Sequence, residues 1–262
     1  MLVSVIIPTY NRPELLKEAI DSVRAQTFQD FELIVVEDHE PCQGPAAIRN
    51  SGVSKAKGRY IAFLDSDDLW DKKKLEKQLR FLKIINEEPR RSVSGSEFKL
   101  CYTNEKWVRN GEHLNQLKKH QKYHGWIFDK CLPLCIISCS SILMEREVFA
   151  ELGGFDESLP VCEDYDLWLR LSLRYPIAYL DEKLIIKRGG HPDQLSRKYW
   201  GMDRFRIRAL EKLLKKDLSA GNKALVLREL KSKYNILLLG SWKRKRYLKW
   251  LYYMLRSKIS LR

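Results

Sequence analysis

The hydrophobic positions alternate between short continuous runs and helical stripes. Val3–Ile7 is apolar throughout, as in a strand buried on both faces. Pro8-Thr9-Tyr10-Asn11-Arg12-Pro13 breaks that run, and Pro13 suits the first turn of a helix, where a missing N–H costs nothing. Leu15, Leu16, Ala19, Ile20 and Val23 then share one helical face as far as Gln26. Glu32–Val36 predicts a second strand ending in Glu37-Asp38, Gly44–Lys57 a helix stopped by Gly58, and Tyr60–Leu64 a third strand. Strand–helix–strand–helix–strand is the pattern of a parallel, doubly wound α/β sheet.

Further on, Leu75, Leu79 and Leu82 mark one side of a helix whose first turn is Asp71-Lys72-Lys73 and whose end lies near Glu88-Pro89. Arg90–Glu97 is polar, and Asn104–Tyr123 is polar and poorly periodic, which predicts a loop or insertion. Order resumes at Trp126–Cys131, and Ile136–Met144 reads as an extended run. Glu145–Leu152 reads as a short helix stopped by Gly153-Gly154. A helix from Glu163 carries Leu167, Leu171 and Tyr175 on one face. Ile177–Leu180 and Leu184–Lys187 predict two short strands, and Gly189-Gly190-His191 a loop.

Ligands bind open α/β sheets beyond the carboxyl ends of the strands. All three early strands end in polar residues: Thr9 to Arg12, Glu37 with Asp38, and Asp65 to Asp68. Three carboxylates within Asp65-Ser66-Asp67-Asp68 repel one another unless a divalent cation sits among them. The alternative is a solvated turn in which Asp67 or Asp68 caps the next helix. Glu163, Asp164 and Asp166 crowd the first turn of the later helix, where the helix dipole alone favours acids. There is no G-x-G-x-x-G after the first strand and no G-x-x-x-x-G-K-[ST] anywhere, which argues against dinucleotide dehydrogenases and P-loop NTPases.

Composition adds two points. The chain has 262 residues, 44% hydrophobic and 31% charged, enough for a full core, with no apolar run near the roughly 18–20 residues that span a bilayer. Its apolar start, Met1–Pro8, lacks a basic lead-in and a cleavage site, so a cytoplasmic location is expected. The six cysteines form no C-x-x-C pair; Cys131, Cys135 and Cys139 recur every four residues, and buried free thiols are a better reading than zinc.

The net charge of +14 is concentrated at one end: residues 223–262 hold twelve Lys or Arg and one acid, Glu229. Aromatics interleave with the cations in Trp242-Lys-Arg-Lys-Arg-Tyr-Leu-Lys-Trp250. Such a mixture suits a helix on an anionic membrane surface at the inner face of the cell membrane; nucleic acid is not the expected partner. An ordinary helix pair with a solvated basic face is the plain alternative.

From Val3 to about His191 the chain resembles the family-2 glycosyltransferases of the GT-A fold, of the bacterial surface-glycan type. The matching features are V-S-V-I-I-P-T-Y-N-R, Glu37-Asp38, Ala47-Ile-Arg49-Asn50, K-G-x-Y-I-x-F-L-D-x-D-D, Gly154-Phe155-Asp156-Glu157 and Glu163-Asp164-x-Asp166-Leu-Trp168-Leu-Arg170. Glu37, where the family often has Asp, and His39-Glu40-Pro41 depart from the pattern. The resemblance implies a Rossmann-like, mixed but mainly parallel sheet flanked by helices over residues 1–200, with a basic helical extension over 201–262. It implies an inverting, metal-dependent hexosyltransferase of lipopolysaccharide, capsule or exopolysaccharide synthesis. The donor would be a UDP-sugar and the acceptor a glycan or a lipid-linked sugar. Pro8, Thr9, Tyr10, Arg12, Asp38, Arg49, Asp65 and Asp67 would bind the donor. Asp67, Asp68 and His191 would hold Mn²⁺ or Mg²⁺, and Asp164, with Glu163 competing, would be the general base. Trp126 and Trp168 are candidates for stacking on a sugar. A nucleotidyltransferase and a non-catalytic sugar-nucleotide-binding scaffold are the alternatives.

Overall fold

The computed structural model describes residues 1–38, 44–87, 96–191, 194 and 198–260. The departure at His39-Glu40-Pro41 and most of the polar stretch after Glu88 lie outside these residues. The first half follows the hydrophobic pattern: β1 (Val3–Thr9), α1 (Pro13–Arg24), β2 (Phe31–Glu37), α2 (Gly44–Lys55) and β3 (Tyr60–Phe63). β1 lies between β2 and β3 and is parallel to both. Gly58 is required between α2 and β3, because a Cβ there would stand 2.7 Å from the Ser4 backbone nitrogen.

Beyond β3 several expectations are corrected. The chain makes the short strand β4 (Leu69–Trp70) before α3 (Lys74–Glu87) begins. Asp71, not Asp67 or Asp68, serves the start of α3: its carboxylate accepts from Lys73 N at 2.9 Å, and its carbonyl from Lys74 N at 3.0 Å. The stretch expected to be a loop from Asn104 contains most of β5 (Leu100–Arg109) and all of β6 (Glu112–Leu114). Asn110-Gly111, both at positive φ, turns one strand into the other, as two-residue hairpins require. The pattern was illegible because the far half of β5 leaves the core, so burial no longer imposes alternation.

The extended run expected over Ile136–Met144 is interrupted by a 3₁₀ turn at Cys139–Ser141, leaving β7 at Leu143–Glu145. Ser141 Oγ donates to Ser138 O at 2.7 Å, a local bond that competes with sheet pairing. The two strands expected after Ile177 are one, β8 (Ala178–Gly189). Asp181 and Glu182 look like a turn but occupy an irregularity opposite Thr103 and Asn104. Between these lie the helices α4 (Phe128–Cys131), α5 (Arg146–Glu151) and α6 (Glu163–Ser172).

The described strands form one mixed sheet in the order β2-β1-β3-β7-β5-β8-β4, with β6 on β5. Its two faces bury separate layers. Val5, Ile7 and Leu64 pack with Ala19, Val23, Leu75 and Leu82 of α1 and α3. Ile6, Ile61 and Phe63 pack with Phe149, Phe155 and Trp168. The C-terminal helices α7 (Asp203–Leu214), α8 (Ala220–Lys243) and α9 (Tyr247–Ser260) join this second layer through Phe205, Leu210 and Leu237. Among the described residues no helix is long and apolar enough to cross a membrane.

Candidate active site

Parallel pairing brings the ends of β1, β2 and β3 to one edge. Asp38 N donates to Thr9 O at 2.9 Å, joining two of these ends. Asn11 sits at φ 52 in the turn leaving β1, a conformation Asn tolerates better than most residues. That turn aims Arg12 across the edge, and its Nη1 donates to Asp67 Oδ2 at 2.9 Å. Pro8 is half-buried, Tyr10 is exposed, and Asp38 is buried.

The three acids after β3 have different surroundings. Asp65 accepts from Arg49 Nη2 at 2.7 Å; burial would raise its pKa, but Arg49 together with the Lys187 and Arg12 charges outweighs burial and lowers it. Asp67 is pushed up by burial and by the Asp65 charge, with Arg12 opposing. Asp68 is 1% exposed, and its oxygens accept from Ser140 Oγ at 2.7 Å and Arg188 N at 3.0 Å. Burial holds the Asp68 carboxyl well above the usual range. Arg188 Nε also donates to Asp67 O at 2.5 Å, so β8 closes over the rim.

Arg188, Lys187 and Ser140 were not singled out in the sequence, since nothing in their spacing sets them apart; Cys135 was read there only as one of three buried thiols. Lys187 Nζ donates to Ser138 Oγ at 3.2 Å. Burial opposes its charge, but Glu105, Asp68 and Asp65 outweigh burial and raise its pKa.

The second acidic motif begins α6, directly after Cys162 at φ 65. Backbone strain of this kind gathers at functional sites. Arg49, 7% exposed, spans the two motifs: Nη1 donates to Glu163 Oε1 at 2.5 Å while Nη2 serves Asp65. One guanidinium is shared between the half-buried Asp65 and the buried Glu163. Asp65 keeps its charge, whereas burial pushes Glu163 up to about 7 against the pull of Arg49, with the Asp164 charge adding to the rise. Asp164 is more open than Glu163, and its Oδ2 accepts from Cys135 Sγ at 3.2 Å.

Asp166 turns away from the edge into the structure, paired with Arg170 at 2.8 Å and Lys212 at 3.0 Å. Trp168 is 1% exposed and packs edge-on against Phe155 in the core, whereas Trp126 is 44% exposed. Cys101, Cys131, Cys135, Cys139 and Cys162 are free thiols.

Several buried polar atoms at the strand ends lack a hydrogen-bond partner among the described residues: Thr9 Oγ1, Arg188 Nη2 and His191 Nε2. Native structures rarely leave such atoms unpaired, although Trp168 Nε1 in the core shares the condition. Among the described residues no three His, Cys, Asp or Glu side chains are gathered as a ready metal cage. A Mg²⁺-type site does not need one, because it is held through one or two carboxylates plus substrate phosphates. Asp67, raised by burial and then by the Asp65 charge, is a carboxylate of that kind, and His191 Nε2 is a ring nitrogen without a hydrogen-bond partner among the described residues.

The profile described as Glycosyltransferase like family 2 matches residues 39–205, and Glycosyl transferase family 2 matches residues 4–42. The chain belongs to glycosyltransferase family 2. It is 30% identical over 192 residues to the UDP-Glc:alpha-D-GlcNAc-diphosphoundecaprenol beta-1,3-glucosyltransferase WfgD of Escherichia coli, covering 65% of this chain and 69% of WfgD. It is 31% identical over 222 residues to an uncharacterized glycosyltransferase of Rickettsia felis, covering 75% of this chain. The chain spans 35% of the length of that relative and 31% of a second from Rickettsia bellii. The fold matches S. aureus TarS 1-349 in complex with UDP-GlcNAc, with a TM-score of 0.76, 18% identity, and coverage of 100% of this chain and 82% of TarS 1-349. It is the GT-A fold.

Proposed function

We propose that the protein transfers a hexose from a UDP-sugar to a hydroxyl of a lipid-linked or growing surface glycan, with inversion at the anomeric carbon. The observation that carries this reading is the Asp65–Arg49–Glu163 bridge, which sets the rim carboxylates beside the acidic start of α6. A donor-side acid pair and an open carboxylate opposite are what a single displacement needs.

In this reading Thr9, Tyr10, Arg12 and Asp38 border the nucleotide, and Asp65 and Arg49 fix the donor side of the edge. Mn²⁺ or Mg²⁺, held by Asp67 with His191, would neutralise charge on the departing nucleoside diphosphate. Asp68, with both oxygens engaged, supports the rim from beneath instead of joining the ligand set. Asp164 takes the proton from the acceptor hydroxyl as its oxygen attacks the anomeric carbon and the sugar–phosphate bond breaks. Glu163, buried against Arg49, positions this end of α6. WfgD acts on a diphosphoundecaprenol acceptor by its name, and that likeness supports a lipid-linked acceptor here. The basic tail supports the same reading, with the protein held peripherally at the inner membrane face.

Asp164→Asn provides the test. It should bind UDP-sugar like the parent, measured by calorimetry, and fail to transfer; parental transfer rates would assign the base elsewhere.

A further inference from the structure

The C-terminal helices expose a set of large apolar side chains that the body of the protein does not cover. Leu248 is 85% exposed and Ile259 77%, with Leu251, Tyr252 and Leu255 also open to solvent. These five positions on α9 follow helical spacing and form one stripe. The opposite side is used for packing: Tyr253 is 8% exposed, and Trp250 meets Trp242 of α8. Lys249 and Lys258 flank the stripe, and Lys243, Arg244, Lys245 and Arg246 stand exposed where α8 turns into α9. No acid follows Glu229 in the sequence.

We propose that α9 lies along an anionic bilayer, with the Leu248–Ile259 stripe among the acyl chains and the Lys243–Arg246 cluster against lipid phosphates. This deepens the lipid-linked acceptor reading and rests on it for its purpose, though not for its physics. At 14 residues α9 is about 21 Å long, short of the roughly 30 Å hydrocarbon core, so it lies on the surface and does not span. An apolar stripe between rows of cations is the pattern of such helices. Charge selects the occupant: a second copy docked through the same face would oppose one cationic cluster to another, whereas anionic lipid neutralises it.

The test is cosedimentation of the full chain with vesicles of phosphatidylcholine, with and without phosphatidylglycerol. The parent should sediment with the anionic vesicles and stay in solution with neutral ones. Leu248→Glu combined with Leu251→Glu should lower the bound fraction about tenfold or more, as should Gln at all four positions 243–246. Both variants should keep the parental thermal unfolding temperature, because the altered side chains are exposed. Parental sedimentation of the Leu248→Glu/Leu251→Glu variant overturns the proposal. So does a parent that binds no vesicles and runs as a dimer that this variant dissociates, which gives the stripe to a second copy. Donor hydrolysis in vesicle-free buffer separates the two readings. Hydrolysis retained with vesicle binding lost supports the docking face, while a parent that binds vesicles without hydrolysing any UDP-sugar overturns only the catalytic reading.

Discussion

Arg49 donates from Nη1 to Glu163 Oε1 at 2.5 Å, across 114 positions of sequence. Through its other nitrogen it also holds Asp65, so a helix in the first third of the chain sets the spacing of two acidic motifs it does not belong to. Replacing Arg49 by Met should therefore act on stability first. The buried Glu163 and the half-buried Asp65 would lose their counter-ion, and breaking the buried Arg49–Glu163 pair costs about 3–5 kcal/mol. Urea unfolding of parent and variant measures the loss; a change below about 1 kcal/mol would show that solvent reaches the pair.

The pH dependence of Glu163 has a definite sign. Its folded pKa, about 7, lies above the ordinary carboxylate value of 4.5, so its ionisation works against folding. Stability attached to this group is full below the ordinary value and declines as pH rises through about 7. Glu163→Gln should thus gain on the parent as pH rises across that window, measured by denaturant midpoints at several pH values. Asp65, lowered by Arg49, runs the opposite way: its contribution is present above the ordinary value of 3.8 and is lost as pH falls through its folded pKa.

Asp67 and Asp68 are neighbours with different partners. Asp67→Asn should lower transfer about hundredfold or more while the protein unfolds at its usual temperature. Asp68→Asn can still accept from Arg188 N and donate to Ser140 Oγ, so it should fold normally and keep most of its turnover. Asp68→Ala should lose about 1–3 kcal/mol of stability by stranding both partners. A folded Asp68→Asn without turnover would place Asp68 in direct contact with the cation.

Cys135 reports on Asp164. Burial, and then the adjacent carboxylate, push its thiol well above the ordinary range, so the reactive thiolate is scarce. Iodoacetamide should label Cys135 slowly at neutral pH, and faster in Asp164→Asn, as peptide mass spectrometry would show. Equal rates would mean that the thiol and the carboxylate are not coupled.

Gly58→Ala tests the seat of β1. The added methyl would meet the Ser4 and Val3 backbone at 2.7–2.8 Å, and those atoms cannot rotate aside. A loss of about 1–3 kcal/mol is expected in denaturant unfolding, without change in donor affinity per folded molecule.

What the sequence determined by itself was the local order: three parallel strands, the helices between them, and polar residues at each of those strand ends, acids at two of them. Those features depend on burial period and turn chemistry, which neighbouring residues set together. The motifs Asp65–Asp68 and Glu163-Asp164 were legible for the same reason, and so was the family. The hairpin of β5 and β6 was not, because β5 leaves the core midway and its exposed half carries no periodic constraint. Only the tertiary structure decided which partner each acid takes. Arg188 and Ser140 claim Asp68, Arg12 and Arg49 take Asp67 and Asp65, and Cys135 meets Asp164. Such partners come from distant segments, and a carboxylate's charge and availability depend on what surrounds it, which spacing along the chain does not encode.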